Sequence, residues 1–427
     1  MRLAGAVAQR IVFRALEGLH GGELVLRYPD GRGRRFGDGA GLRVVIDVHN
    51  PAAFWAKLAR RTHIGFGESY VDGDWDADDP VALFELLSVN LEAAGEHPVF
   101  RVLNTLQEMR PHRAQRQSPA AARDNIHAHY DLGNDLFRLM LDDTMTYSCA
   151  VWERPGMTLE EAQRAKYRRI CEKLQLGTED HVLEIGCGWG GFAIYAAGEY
   201  GCRVTGLTLS PSQASLARER VRDAGLDELI EICEQDYRHT DGRFTKVASI
   251  EMLEAIGLAE HTAYFRAIDK FLELNGVAVI QTIAIPDKRF ERYSRRSDWI
   301  QQYIFPGSLI PSVGAVERAA AHTRLQVVGL EEIGPDYADT LKIWRENVEA
   351  RVDEVRAFGY DERFLRIWRF YLSFCEAAFR VRSLRDVQLV LARSSSALPR
   401  ITAAPERSGP SLEQPAVLTP SGRLRTG

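Results

Sequence analysis

Cysteine is sparse in this 427-residue sequence: Cys149, Cys171, Cys187, Cys202, Cys233 and Cys375 are scattered, with no C-x-x-C pair. That excludes metal-finger spacing and a dense disulfide framework, and a reducing cytoplasm fits. Long hydrophobic runs are missing too. No apolar segment reaches the roughly 18 residues of a spanning helix, and the stretch at 3–8 ends at Gln9 and Arg10, too short for a secretory signal. Charge of one sign is also lacking. The 54 Lys+Arg against 59 Asp+Glu leave a net −5, so nucleic acid is not an expected partner and membrane contact must come from a local basic patch. What is present is a hydrophobic fraction of 45%, enough for a sizeable core, at a length that suggests two or three units of about 100–200 residues.

Residues 1–105 mix strand-like segments at 23–28 and 42–48 with helical patterns at 51–61 and 80–94, and read as a small α+β domain. A basic linker follows at 106–126, with four arginines and no acid between 110 and 123. From 127 to 393 the pattern changes. A capping box, Thr158-Leu159-Glu160-Glu161, opens a helix that Gly177 is expected to stop. Strands at 181–185, 202–209, 229–234, 246–250 and 277–285 then alternate with helices, the signature of an α/β, doubly wound parallel sheet. Residues 286–383 read as a helical, aromatic-rich insert, 386–392 as a further strand, and 394–427, rich in Pro, Ser, Thr and Gly, as a disordered tail.

The strand at 181–185 breaks into Gly186-Cys187-Gly188-Trp189-Gly190-Gly191, where glycine lets the backbone approach a ligand at the sheet's carboxyl edge. Gly186, Gly188 and Gly191 also satisfy the dinucleotide pattern G-x-G-x-x-G. A dinucleotide site, however, wants a carboxylate at the end of the next strand, and Thr205-Gly206-Leu207-Thr208-Leu209-Ser210 offers none. An acid sits instead inside the first strand, at Glu184. Together these features resemble motif I of the S-adenosylmethionine (SAM) methyltransferases, a Rossmann-like class I fold.

Four separated segments resemble the cyclopropane-fatty-acid synthase family of SAM-dependent methyltransferases: His129-Tyr130-Asp131-Leu132-Gly133-Asn134-Asp135 with Tyr147-Ser148-Cys149; the glycine loop with 206–213; Ser249-Ile250-Glu251-Met252-Leu253-Glu254; and Tyr303-Ile304-Phe305-Pro306-Gly307 with Asp336-Tyr337. The first 105 residues resemble the small N-terminal domain of the longer, phospholipid-acting members, which implies a phospholipid acyl chain as substrate and a helical lipid-binding cap at 286–383. The resemblance also implies that Tyr147, Ser148, Glu184, Gly186, Gly188, Gly190, Thr208, Leu209 and Gln213 line the SAM site, with Asp236 and Tyr237 near the adenine. Neutral Thr208 and Gln213 suit the ribose, and an aromatic such as Tyr237 can flank a purine.

An isolated alkene is a feeble nucleophile, and its methylation leaves a carbocation that needs negative charge, aromatic faces and a base. Nothing in this chemistry requires a metal. In cyclopropane-forming relatives the base is a bicarbonate, and the positions implied to hold it become Cys149, Glu254, Gln281, Ile283 and Tyr337. Two departures fall here. Gln281 stands where the family usually has His, and an amide cannot shuttle a proton. Glu251 stands where Gly is usual, so that a helical turn would aim it the same way as Glu254. Glu251 is therefore expected to replace bicarbonate, Gln281 to hydrogen-bond it, and the paired carboxylates to push one pKa upward; a retained bicarbonate is the alternative. A displaced base favours a hydride shift, giving the methylene branch of the 10-methylstearic (tuberculostearic) type on an oleoyl lipid, which a separate reductase would saturate. Ring closure to a cyclopropane, methylation of a soluble amine and non-catalytic lipid binding are the competing functions. The basic run 288–296, interleaved with Phe290 and Tyr293, is expected to meet the inner face of the cell membrane, while 110–123 and Arg2, Arg10 and Arg14 read as solvated faces. Oligomeric state stays open between monomer and homodimer.

Overall fold

The structure, a computed structural model, describes residues 2–95 and 133–394. The expected linker at 106–126, the motif residues 129–132 and the tail from 395 onward lie outside the described residues.

The first part carries α1 (Arg2–Leu16), β1 (Gly22–Arg27), β2 (Gly33–Gly37), β3 (Leu42–Val48), α2 (Pro51–Val71), β4 (Trp75–Ala77) and α3 (Pro80–Gly95). Its four strands lie in the order β2-β1-β3-β4, with β1 and β3 parallel. The helix expected at 51–61 runs a further turn-rich stretch to Val71 across a kink at Thr62 (φ 45°).

The second part begins with α4 (Gly133–Met140) and α5 (Leu159–Leu174). It alternates through β5 (His181–Ile185), α6 (Gly191–Tyr200), β6 (Arg203–Thr208), α7 (Pro211–Asp223), β7 (Ile230–Glu234), β8 (Phe244–Ile250), α8 (His261–Phe271) and β9 (Leu272–Ala284). The cap follows as α9 (Asp287–Tyr293), α10 (Trp299–Tyr303), α11 (Val313–Ala320), β10 (Leu325–Glu332), α12 (Gly334–Ala350), α13 (Val352–Ala357) and α14 (Glu362–Arg380), before β11 (Arg385–Arg393) closes the sheet.

The seven strands run β10-β11-β9-β8-β5-β6-β7. β5 to β9 are mutually parallel, as expected, and β5 is buried along four of its five residues, as a strand covered on both faces must be. β11 runs antiparallel to both neighbours, so the sheet is mixed at one edge. Residues 325–332 were expected to be helical and instead form β10. Its outer position leaves alternate residues exposed, including Val328 and Leu330, which blurs the apolar signal a buried strand would give. The capping box at Thr158 and Glu161 forms in both directions, at 3.2 and 2.7 Å. The helix stops earlier than Gly177: Gln175 takes the left-handed conformation (φ 56°) that caps it.

Cap and N-terminal sheet share one apolar core that runs from Leu24 and Trp75 to Trp344, Trp368 and Phe379. The amphipathic α14 carries it: Phe370 packs on Trp299 at 4.5 Å and on Phe84 at 4.9 Å, and Arg366 reaches the Tyr70 and Trp75 carbonyls at 2.6 and 3.0 Å. Among the described residues, no helix is long and apolar enough to cross a membrane.

Candidate active site

The carboxyl end of β5 opens into a cleft. Gly186 (φ 85°) turns the chain where a Cβ would strike the Met252 side chain at 2.7 Å, and Gly188 (φ 53°) leaves open space beside the backbone. Tyr147, Ser148, Glu184, Gly186, Gly188, Thr208, Leu209, Gln213, Asp236 and Tyr237 all line this cleft. Gly190 does not. It caps α6 with φ 80°, and its Cβ position faces Ala217 of α7 at 3.4 Å; Gly191 lines the cleft instead.

Thr208 and Gln213 are joined by a 3.0 Å hydrogen bond, and Asp236 holds the Arg238 guanidinium at 2.9 and 2.6 Å. The Tyr237 hydroxyl and Glu184 Oε2 are buried without a protein partner, and burial pushes the Glu184 carboxyl up to about 8. Unsatisfied polar atoms beside a glycine-opened backbone suit a polar nucleoside ligand, of which SAM is one.

A second cavity, of about 380 Å³, runs under the cap between Ile283, Tyr293, Phe305, Leu341, Tyr371, Phe374 and Phe379. The cleft and this tunnel share Tyr147, Glu251 and Ala255 in their walls, so a group in one faces a group in the other at those residues.

Glu251 sits at that junction. It follows β8 with φ 49°, so the turn is not helical there; the left-handed residue, and then a short 3-10 turn at Leu253–Ala255, bring Glu251 and Glu254 to the same cavity. The Cys149 N–H donates to Glu251 Oε1 at 2.7 Å, Gln281 Nε2 to the same oxygen at 2.8 Å, and the Tyr337 hydroxyl to Oε2 at 2.6 Å. These are three of the five positions that the family resemblance assigns to bicarbonate, and here all three are engaged by a side chain. The other two pair with each other, because the Ile283 N–H donates to Glu254, as does the Thr282 hydroxyl at 2.9 Å. The donors that the resemblance assigns to bicarbonate are thus engaged by the Glu251 and Glu254 carboxyl groups. Burial, and next the Glu251 charge, push the Glu254 carboxyl up to about 8.

Two buried titratable groups escaped the sequence reading. Asp386, fully buried on β11, accepts from Gln281 Nε2 at 3.1 Å. Burial and the charge of Glu251, with a hydrogen bond between the two carboxyl groups, raise it well above the carboxylate range. Lys166 on α5, also fully buried, donates to Ser148 Oγ at 2.6 Å, and burial lowers it to about 8 against the pull of Glu251. Both lie far from Glu251 along the chain, and no motif announces either. Asp386 beside the apolar run of β11 was an available signal, whereas Lys166 is one of many charged residues on α5 and did not stand out.

The expected membrane-facing aromatics turn inward. Phe290 is buried in a small cluster with Ile285 and Leu309, and Tyr293 lines the tunnel, because α9 lays its apolar side against the cap; Lys288, Glu291, Arg292 and Arg295 are the exposed members of the run.

A family model described as mycolic acid cyclopropane synthetase matches residues 117–389. The chain is 37% identical over 401 residues to the tuberculostearic acid methyltransferase UfaA1 of Mycobacterium tuberculosis, which covers 91% of this chain and 92% of the relative. It is 37% identical over 354 residues to the cyclopropane-fatty-acyl-phospholipid synthase of Escherichia coli, covering 82% and 87%. The solved mycolic acid cyclopropane synthase CmaA1, complexed with SAH and CTAB, superposes with a TM-score of 0.59 at 31% identity, over 64% of this chain and 98% of that one.

Proposed function

The chain belongs to the mycolic acid cyclopropane synthetase family and is a SAM-dependent methyltransferase, and from that premise we propose that it methylates the cis double bond of an oleoyl chain on a phospholipid, giving a methylene branch of the 10-methylstearic type. The observation that carries the reading is Glu251, a carboxylate held by three donors where the tunnel meets the cleft.

SAM, when bound, supplies an electrophilic sulfonium methyl. The chain's own residues do the rest. The apolar tunnel excludes water and aligns the alkene. Once the acyl chain carries a cation, the Glu251 charge and the faces of Tyr337 and Phe379, 4.5 Å apart, stabilise it. A base anchored to the backbone cannot follow the cation as a small ion would, which leaves time for a hydride to move to the cationic carbon. A C–H bond of the new methyl group then breaks, its electron pair forms the exocyclic double bond, and Glu251 accepts the proton. Glu254, held neutral at pH 7, is a hydrogen-bonding wall rather than the base.

Two further features support a diacyl lipid drawn from a membrane surface. A larger apolar cavity, of about 760 Å³, adjoins the tunnel through Asp298, Ile300 and Phe374, and the exposed cations of α9 stand beside the tunnel residue Arg289. The substrate's second chain and anionic headgroup need such features. A separate reductase would then saturate the product.

The test is incubation with dioleoyl phospholipid vesicles and methyl-deuterated SAM, followed by mass spectrometry of the released chains. A ring and a methylene have equal mass, so mild hydrogenation separates them: uptake of hydrogen is expected, and a product inert to it would overturn the branch in favour of a cyclopropane. Equal sedimentation with anionic and neutral vesicles would count against the cationic entrance.

A further inference from the structure

One row of polar side chains crosses the sheet where apolar residues are the rule. Glu331 on β10 stands opposite Gln388 on β11, and Gln388 opposite Gln281 on β9. The Gln281 carbonyl in turn accepts from the Glu251 N–H at 2.8 Å. The side chains are joined in the same order. Lys173, on the last turn of α5, donates to Glu331 at 2.5 Å and to Gln388 Oε1. Gln388 Nε2 donates to Gln281 Oε1 at 3.0 Å, and Gln281 Nε2 donates to Glu251 at 2.8 Å and Asp386 at 3.1 Å. Both glutamines are fully buried.

An amide presents a donor at one end and an acceptor at the other, and by shape the two ends are nearly interchangeable. Two amides in series can therefore point either way unless one end of the series is fixed. Lysine fixes it, because an ammonium only donates. Gln388 must turn its oxygen to Lys173 and its NH₂ to Gln281. Gln281 must then turn its oxygen to Gln388 and its NH₂ to Glu251. With the opposite polarity, an amide oxygen would face the carboxylate of Glu251 in a dry site, which is repulsive.

The geometry points to Lys173 and Gln388 as positioning residues for the methyl-transfer site: together they set the direction of the Gln281 amide and so hold Glu251 as a proton acceptor. This rests on Glu251 being the base. Neither residue touches the tunnel or the cleft, so their influence passes only through Gln281. The other groups facing Glu251 are Tyr337 on α12, Tyr371 on α14, Asp386 on β11, Lys166 on α5, Glu254 and Cys149, and none of them orients the amide from its far end.

The test is the pH dependence of kcat in Lys173→Met, Lys173→Arg and Gln388→Met, on dioleoyl phospholipid vesicles with SAM. Loss of the orienting donor is expected to lower kcat about tenfold and to move the acid limb of the profile up by about one pH unit, with KM for SAM unchanged. Lys173→Arg, which still only donates, is expected to restore the wild-type profile. Gln388→Met leaves the Lys173 charge in place, so a shift in Lys173→Met alone would mean a plain charge effect and overturn the relay. Wild-type profiles in both Met variants would overturn it too. If Lys173→Met does not fold, Gln388→Met supplies the same readout. Glu251→Gln separates the premise: full activity there sinks the base, whereas an inactive Glu251→Gln beside an unshifted Gln388→Met sinks only the relay.

Discussion

At φ 49° Glu251 holds a backbone conformation that costs a non-glycine residue about 1 kcal/mol or more. The position suits the glycine usual in the family, and a carboxylate there, met by three donors, points to use rather than accident. Glu251→Gly removes the carboxylate and leaves the Cys149 N–H, the Gln281 amide and the Tyr337 hydroxyl aimed at empty space. Turnover of Glu251→Gly in bicarbonate-free buffer is expected to fall by roughly 100-fold or more, and added bicarbonate to recover part of it, as measured by methyl incorporation into vesicles. Glu254 predicts a pH effect of definite sign. Its folded pKa, about 8, lies above the ordinary 4.5, so the native state holds a proton that the unfolded chain releases. Its contribution is fully present below pH about 4.5 and is lost as pH rises through about 8. Glu254→Gln should flatten the fall of the thermal midpoint across that window, read by scanning calorimetry. The closeness of Glu251 and Glu254 was legible, since they stand three positions apart. Asp386 and Lys166 were not, because only folding of β11 and α5 brings them to the same carboxylate.

Among the elements, α5 matches its sequence signal at one end and departs at the other. Thr158 and Glu161 cap its start reciprocally because a hydroxyl and a carboxylate three residues apart reach each other's backbone whatever the surroundings. Its end is set by Gln175 in the left-handed region, two residues before the glycine that looked like the stop. Gln175→Gly is expected to stabilise the protein by about 0.5–1 kcal/mol in urea unfolding, since glycine adopts that conformation without a Cβ penalty. β10 makes the complementary point. Its alternation of half-buried and exposed residues arises only from its edge position beside an antiparallel neighbour, so nothing local separated it from the helices around it.

At the scale of the molecule, the N-terminal sheet is tied to the cap by α14. Arg366, with only 14% of its side chain exposed, bridges the Tyr70 and Trp75 carbonyls and Asp76 at 2.7 Å, and Arg380 reaches Glu85 at 2.9 Å. Arg366→Ala removes the guanidinium donors from both carbonyls and from Asp76 and takes an aliphatic stem from the seam, and is expected to cost about 2–3 kcal/mol in equilibrium unfolding. Because the tunnel and the larger apolar cavity meet along this seam, lipid turnover should fall more steeply in that variant than SAM binding measured by calorimetry.

What the sequence determined by itself was whatever depends on neighbours in the chain: the parallel β/α alternation, the glycine loop that opens the SAM cleft, the capped helix, and the substitutions Glu251 and Gln281 beside matched motifs. Those signals are local because hydrophobic period, turn chemistry and capping act over a few residues. The tertiary structure alone decided the antiparallel edge, the inward turn of Phe290 and Tyr293, and the arrival of Asp386 and Lys166 beside a carboxylate that the matched motifs had already set against Cys149, Gln281 and Tyr337. It also decided the polarity of the amide row that begins at Lys173. Hydrogen-bond direction and charge burial depend on which strands pair and what covers them, and no spacing along the chain encodes that.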